Sequence, residues 1–214
     1  LHYPLRRQRQ MCIRDRAYYQ STVDENRGPD SYYSEDGKQP ASVWLRGEKL
    51  SEVSAFLGTD NGAIVSGKTV ENWFNKAVAP SGAGLGNAPR KDSVPGFDLT
   101  FCAPKSVSLL WGMGADSDVR GIVDEAHQAA VSQALDYLSE HAGYTRKQVK
   151  EPAGKRLVVE KLAGISGVKY EHRTSRAGDP HVHSHVLLAN KQLCRDGKVR
   201  TLDGVSLYLS LIHI

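Results

Sequence analysis

The longest regular pattern in the chain is helical. Across residues 116–143, Val119, Ile122, Val123, Ala126, Ala130, Ala134, Leu135 and Leu138 recur at three- and four-residue spacing, the period that gathers apolar side chains on one face of an α-helix. Asp116 or Ser117 can cap its start and Gly143 can end it. Other stretches alternate with period two. "FDLTF" (97–101) reads as a strand, and so does "GVKYEH" (167–172), which puts Val168, Tyr170 and His172 on one face. "HVHSHVLLAN" (181–190) is the last clear strand, with "RDGK" (195–198) as a hairpin turn leading out of it. In "CAPKSVSLLWG" (102–112), Pro104 suits the first turn of a short helix. Residues 77–96, rich in Gly, Pro and Ala, read as a long loop. Strands and helices without regular βαβ alternation predict an α+β domain on an antiparallel sheet.

Charge changes this picture only once the chain ends are considered. Leu209–Ile214 back-translates to an 18-base element whose reverse complement, read one base on, encodes Met11–Arg16. The two ends therefore read as one sequencing adapter in opposite orientations. Residues 1–16 and 209–214 are set aside on that ground, leaving 17–208 as a partial domain. The net charge is +4, and residues 1–16, with five arginines and one aspartate, supply all of it; 23 basic and 23 acidic side chains remain. Net charge thus gives no support for nucleic-acid binding. Cys102 and Cys194, the cysteines outside the ends, lack metal-type spacing and suggest no disulfide framework. A reducing, cytoplasmic setting is expected, with no membrane segment.

Four of the eight histidines fall within "HRTSRAGDPHVHSHVLLAN" (172–190). On a strand His183 and His185 face the same way and offer two imidazoles to one metal ion. His172 supplies a third if the turn "RTSRAGDP" folds the preceding strand back alongside. Three neutral imidazoles leave coordination positions open, as catalytic sites do. His181 lies on the same face, so a register using His181 and His183 is an alternative. A metal beside a phosphodiester neutralises charge on the non-bridging oxygens, and a tyrosine hydroxyl is then a candidate nucleophile. Two tyrosine pairs, Tyr18/Tyr19 and Tyr32/Tyr33, occupy a polar stretch upstream. The basic residues Arg146, Lys147, Lys150, Lys155 and Arg156 are candidates for tracking a DNA backbone, or form a solvated helix end and loop.

In order, the two "YY" pairs, "GFDLTFCAPKSVSLLW", "GYTRK", "HRTSRAGDPHVHSHVLLAN" and "DGKVRTLDGVSLY" resemble the motifs of TrwC/TraI-type (MobF) conjugative relaxases. The resemblance covers essentially all of 17–208. It implies a HUH-endonuclease palm, a central antiparallel sheet of about five strands flanked by helices. It implies DNA nicking by tyrosine transesterification at a transfer origin during conjugative transfer, leaving a 5′-phosphotyrosyl adduct and a free 3′-hydroxyl. Tyr18 corresponds to the first nucleophile, with Tyr19 beside it, and Tyr32/Tyr33 to a second nucleophile. Asp98 would orient a metal histidine and help take the tyrosine proton. The ligands correspond to His172, His183 and His185, which sets the register against His181. Lys105 and Arg176 match positions that contact DNA phosphate or hold the site together. The implied cofactor is a divalent metal ion, magnesium or manganese in the cell, with zinc or nickel able to take the same ligands. The implied partners are single-stranded or supercoiled DNA at the origin and accessory relaxosome proteins, with a C-terminal helicase region expected beyond the chain. Two alternatives carry different consequences. A rolling-circle replication initiator places its tyrosine after the histidine pair, where only Tyr208 remains. A three-histidine metalloenzyme acting on small molecules has no need of the tyrosine pairs or of "DLTFCAPKSVS".

Overall fold

The computed structural model describes residues 40–90, 93–113, 117–152, 154–175 and 177–211. Tyr18, Tyr19, Tyr32, Tyr33 and Arg176 lie outside the described residues. The elements run β1 (Ala41–Arg46), α1 (Leu50–Leu57), β2 (Ile64–Val65), α2 (Gly67–Lys76), β3 (Gly96–Cys102), α3 (Lys105–Met113) and α4 (Ser117–Ala142). They continue with β4 (Tyr144–Glu151), β5 (Gly154–Lys161), β6 (Ile165–Thr174), β7 (Pro180–Ala189), β8 (Lys191–Leu193), β9 (Val199–Thr201) and α5 (Gly204–Leu211).

The expected antiparallel sheet is present with five strands in the order β2-β1-β6-β7-β3, and every neighbouring pair is antiparallel. The strands read at 97–101, 167–172 and 181–190 form β3, β6 and β7, which lie side by side as its edge, central and fourth members, with β7 between the other two. β1 extends the sheet from a stretch the periodicity left unassigned. Its alternation is interrupted because Val43, Trp44 and Leu45 are all buried, a strand covered on both faces.

Each face of the sheet carries its own core. α1 and α2 contribute Val53, Leu57, Val70, Trp73 and Phe74 against Val43, Leu45, Val168, Tyr170 and Leu187. α4 contributes Val131, Leu135 and Leu138 against Trp44, Leu99, Ile165, Val186 and Leu188 on the opposite face. Each such fully buried aliphatic side chain stabilises the fold by about 1.5–3 kcal/mol. The buried stripe of α4 is Val123, His127, Val131, Leu135, Leu138 and Ala142. Ile122, Ala126 and Ala130, which the helical spacing assigned to the apolar face, are exposed. Small alanines at those positions left the phase of the stripe undetermined, and the sheet selected the side carrying Val131.

The basic stretch around 145–156, for which a solvated helix end and loop is one of two readings, lies in a hairpin of two eight-residue strands, Tyr144 pairing with Lys161 and Glu151 with Gly154. Its base is fastened: Thr145 is buried and its hydroxyl donates to the Thr201 carbonyl at 2.7 Å. Its far half, including Lys150, Lys155, Arg156 and Leu157, is exposed. Charged residues at nearly every other position obscured the period-two signal there.

β6 and β7 pair over almost their full length, with a register irregularity between His172 and Thr174. Gly167 permits that contact, since a Cβ there would lie 2.0 Å from the Leu187 carbonyl oxygen. The obstacle is backbone rather than a movable side chain. Gly167→Ala is expected to cost about 3 kcal/mol, the upper end of the usual overpacking range, in a urea unfolding experiment. A cost below about 1 kcal/mol would show that β6 and β7 separate freely at that point.

Candidate metal centre

Two strands carry the candidate ligands and a third flanks them. On β7, His183 and His185 point to the face that α1 and α2 cover further along. His172 of β6 is the register partner of His183, so the turn at 174–180 brings the third imidazole alongside as expected. Thr100 and Cys102 of β3 are the register partners of His185 and His183 on the other side. The three histidines are 6–8% exposed, and one nitrogen from each lies within 4.8 Å of the others. Their ring centroids are 4.9–5.2 Å apart.

The hydrogen bonds around the rings sort their nitrogens. His183 Nδ1 donates to the His181 carbonyl at 2.8 Å, which leaves Nε2 as the lone-pair nitrogen, 3.2 Å from His172 Nδ1. His185 Nδ1 faces both Asp98 carboxylate oxygens at 3.1 and 3.2 Å and Thr100 Oγ1 at 3.2 Å, so its Nε2 is likewise the atom left for a ligand. Outer partners of this kind orient metal-binding imidazoles and raise their basicity. Tetrahedral bonds of about 2.1 Å to nitrogen separate two ligands by about 3.4 Å, close to the His172–His183 spacing. The donor set therefore fits a divalent ion. His181 is not one of the three convergent imidazoles, although its ring packs 4.6 Å from that of His183; its carbonyl accepts from His183 Nδ1. Cys102 also lies outside the cluster despite its register.

Burial, and then the neighbouring imidazoles of His185 and His172, push the His183 pKa down to about 4. The ring is therefore neutral and competent as a ligand near neutral pH.

The turn before β7 is held by α3. Lys105 pairs with Asp179 and donates to the Pro180 carbonyl at 2.9 Å, while Ser175 also bonds Asp179. The Lys105 hydrogen bond, followed by that of Ser175, lowers the Asp179 pKa to about 2. Ser108 Oγ accepts from the Val182 amide at 3.1 Å, and Gly112 packs where a Cβ would meet Pro180 at 2.3 Å. Lys105, singled out from the sequence, is thus engaged with Asp179 and Pro180 just before β7. Thr100 and a buried pair, His127 with Ser184, were not singled out. His127 had one legible signal, since it is spaced four residues from both Val123 and Val131 on α4.

The model of the TrwC relaxase family matches residues 14–212. The chain belongs to the TrwC relaxase family. Over 116 residues it is 36% identical to the multifunctional conjugation protein TraI of Escherichia coli, a match spanning 51% of this chain and 6% of TraI. The copper-bound complex of the conjugative relaxase TrwC with oriT DNA is similar with a TM-score of 0.61 at 25% identity, covering 95% of this chain and 67% of that one. TrwC with a 27-mer DNA comprising the recognition hairpin and the cleavage site gives 0.55 at 25% identity, covering 86% and 62%. The five-stranded α+β architecture is therefore the one this relaxase family uses. Among the described residues no helix is long and apolar enough to cross a membrane.

The His183 shift makes stability depend on pH. Its folded pKa, about 4, lies below the ordinary 6.5, so the unfolded chain takes up the proton first as pH falls. The contribution is complete above about 6.5 and is lost as pH drops through about 4. Urea midpoints measured across this window without metal are expected to fall, and to fall less in His183→Gln. Equal slopes in the two proteins would remove His183 as the cause.

Proposed function

We propose that this chain carries the strand-nicking site of a conjugative relaxase, acting on single-stranded or supercoiled DNA at a transfer origin. The observation that carries the reading is the buried His172–His183–His185 group, with Asp98 on the outer nitrogen of His185. Three clustered, buried imidazoles are a costly choice where apolar side chains would serve packing alone, and membership of the TrwC family supplies the chemistry they suit. A divalent ion held there, magnesium or manganese in the cell, would withdraw charge from the non-bridging oxygens of the scissile phosphate.

The chain's own residues do the rest. The hydroxyl oxygen of Tyr18 attacks phosphorus, a Tyr–O–P bond forms and the bond from phosphorus to the 3′-oxygen breaks. The 3′-oxygen leaves as a hydroxyl after taking a proton, and the tyrosine proton passes toward Asp98. Because the phosphodiester energy is kept in the phosphotyrosine, the reverse reaction reseals the strand. Tyr32 or Tyr33 serves the later transfer, with Tyr19 flanking the first nucleophile. Lys105 keeps its ammonium half exposed beside Asp179, and it and Arg176 are the residues this reading assigns to the DNA backbone. Accessory relaxosome proteins complete the assembly. The replication-initiator alternative requires a nucleophile downstream of the histidines. Tyr208 is the one available, and its helix α5 packs through Leu207 into the core on the opposite face of the sheet. That placement favours the relaxase order.

The β4–β5 hairpin is the second DNA-contacting element in this reading. Lys147 is paired with Glu160, Arg156 with Glu151 and Arg146 with Asp203. Lys150 and Lys155 are register partners, and among the described residues neither has a carboxylate within ion-pair reach. Like charges directly opposite each other destabilise a hairpin, which phosphate would relieve.

Two measurements test the proposal. Incubated with manganese and a fluorescent oligonucleotide bearing the origin, the protein is expected to form a covalent adduct that Tyr18→Phe abolishes. An adduct surviving in Tyr18→Phe moves the nucleophile to Tyr19, Tyr32 or Tyr33, and none from folded, metal-loaded protein favours small-molecule chemistry. Separately, Lys150→Gln with Lys155→Gln should flatten the slope of log affinity against log salt by on the order of 1–2. An unaltered slope would take the hairpin off the DNA.

A further inference from the structure

The sheet face turned away from the histidines is apolar beneath most of α4 and polar in one place, directly behind the ligands. On β7 that face carries Val182, Ser184, Val186 and Leu188, all buried, and only Ser184, between His183 and His185, is polar. On β6, Glu171 is the register partner of Ser184, and Glu171 and Arg173 flank His172. α4 meets this patch with Asp124, His127 and Gln128. His127 Nε2 lies 3.0 Å from Ser184 Oγ, and both residues are buried. Arg173 pairs with Asp124 at 2.8 Å and with Glu171 at 3.1 Å, Lys169 pairs with Glu171 at 2.6 Å, and Gln128 donates to Glu171 at 3.4 Å.

Stability alone does not call for this arrangement, because apolar packing of similar volume is usually at least as stable as a buried polar network. A buried hydrogen bond adds direction. Ser184 has a candidate ligand on either side, so any twist of the strand at Ser184 swings both imidazoles together. α4 is a 26-residue helix anchored in the core through Val131, Leu135 and Leu138, and it provides a rigid reference for that strand. Burial and then the Arg173 charge lower the His127 pKa, which keeps the ring neutral with one N–H to share.

Resting on the reading of His172, His183 and His185 as metal ligands, we infer that His127 is a positioning residue for the metal. Its bond to Ser184 sets the strand between two ligands so that their Nε2 atoms converge. The Asp124–Arg173–Glu171 group does the same for the segment that bears His172.

The test is a cobalt(II) titration of the full chain after chelator treatment, followed by calorimetry and by the visible absorption of the bound ion. His183→Ala should lose binding. His127→Leu and Ser184→Ala should each weaken it roughly ten-fold and alter the spectrum, with the double variant no worse than either alone. His127→Gln, which keeps a donor near the Nε2 position, should restore most of the affinity. Wild-type affinity and spectrum in both His127→Leu and Ser184→Ala would overturn the inference and leave the metal reading standing, provided His183→Ala still fails to bind. No binding by the starting protein would overturn both. Should His127→Leu fail to fold, Ser184→Ala, which removes a single hydroxyl, decides the matter.

Discussion

The pairing of β6 with β7 is the constraint on which the rest of this molecule depends. Two ten-residue strands carry all three clustered histidines, and the alignment of His172 with His183 makes a cluster out of residues eleven apart in the chain. A one-residue slip would turn His172 to the other face of the sheet and break the group. Several local features hold the alignment: the close backbone approach at Gly167, the irregularity after His172, and the Ser175–Asp179 turn braced by Lys105. Each acts on the strands and touches no ligand.

The sheet separates two kinds of work. Most of both faces is ordinary apolar core, with Tyr170, Val168 and Leu187 on one side and Leu99, Val186 and Leu188 on the other. Polar groups are concentrated where β3, β6 and β7 run together, on both faces at once. Asp98 and Thr100 approach His185 from the ligand side, and His127 meets Ser184 from behind. Buried polar groups are costly unless partnered, and those at this end are partnered across both faces, while Ser166 and Gln192 pair with each other at the far end of β6.

Much of this was legible in the sequence, because it depends on local periodicity. α4, β3, β6 and β7 announce themselves through spacing, and the turn between His172 and His183 is short enough to force neighbouring antiparallel strands. The His-x-His pair is readable for the same reason, since alternate residues on a strand share a face. The choice of His172, His183 and His185 over a register using His181 came from motif resemblance. The cluster in the fold contains the same three residues.

Other features waited for the fold. The phase of the α4 stripe could not be read while alanines stood at Ala126 and Ala130, because small apolar residues tolerate either side of a helix. The 144–161 hairpin was hidden because its charged residues carry little burial signal; its pairing and its anchor at Thr145 are tertiary facts. That Asp98 faces His185, 87 residues away, and that His127 faces Ser184, 57 away, follows from which strands and helices pack together. The sequence by itself determined the elements, the candidate ligands and the family motifs, since these are written in neighbouring residues. Tertiary structure alone decided which face each element buries and which distant polar groups meet, since burial is a property of the assembled sheet.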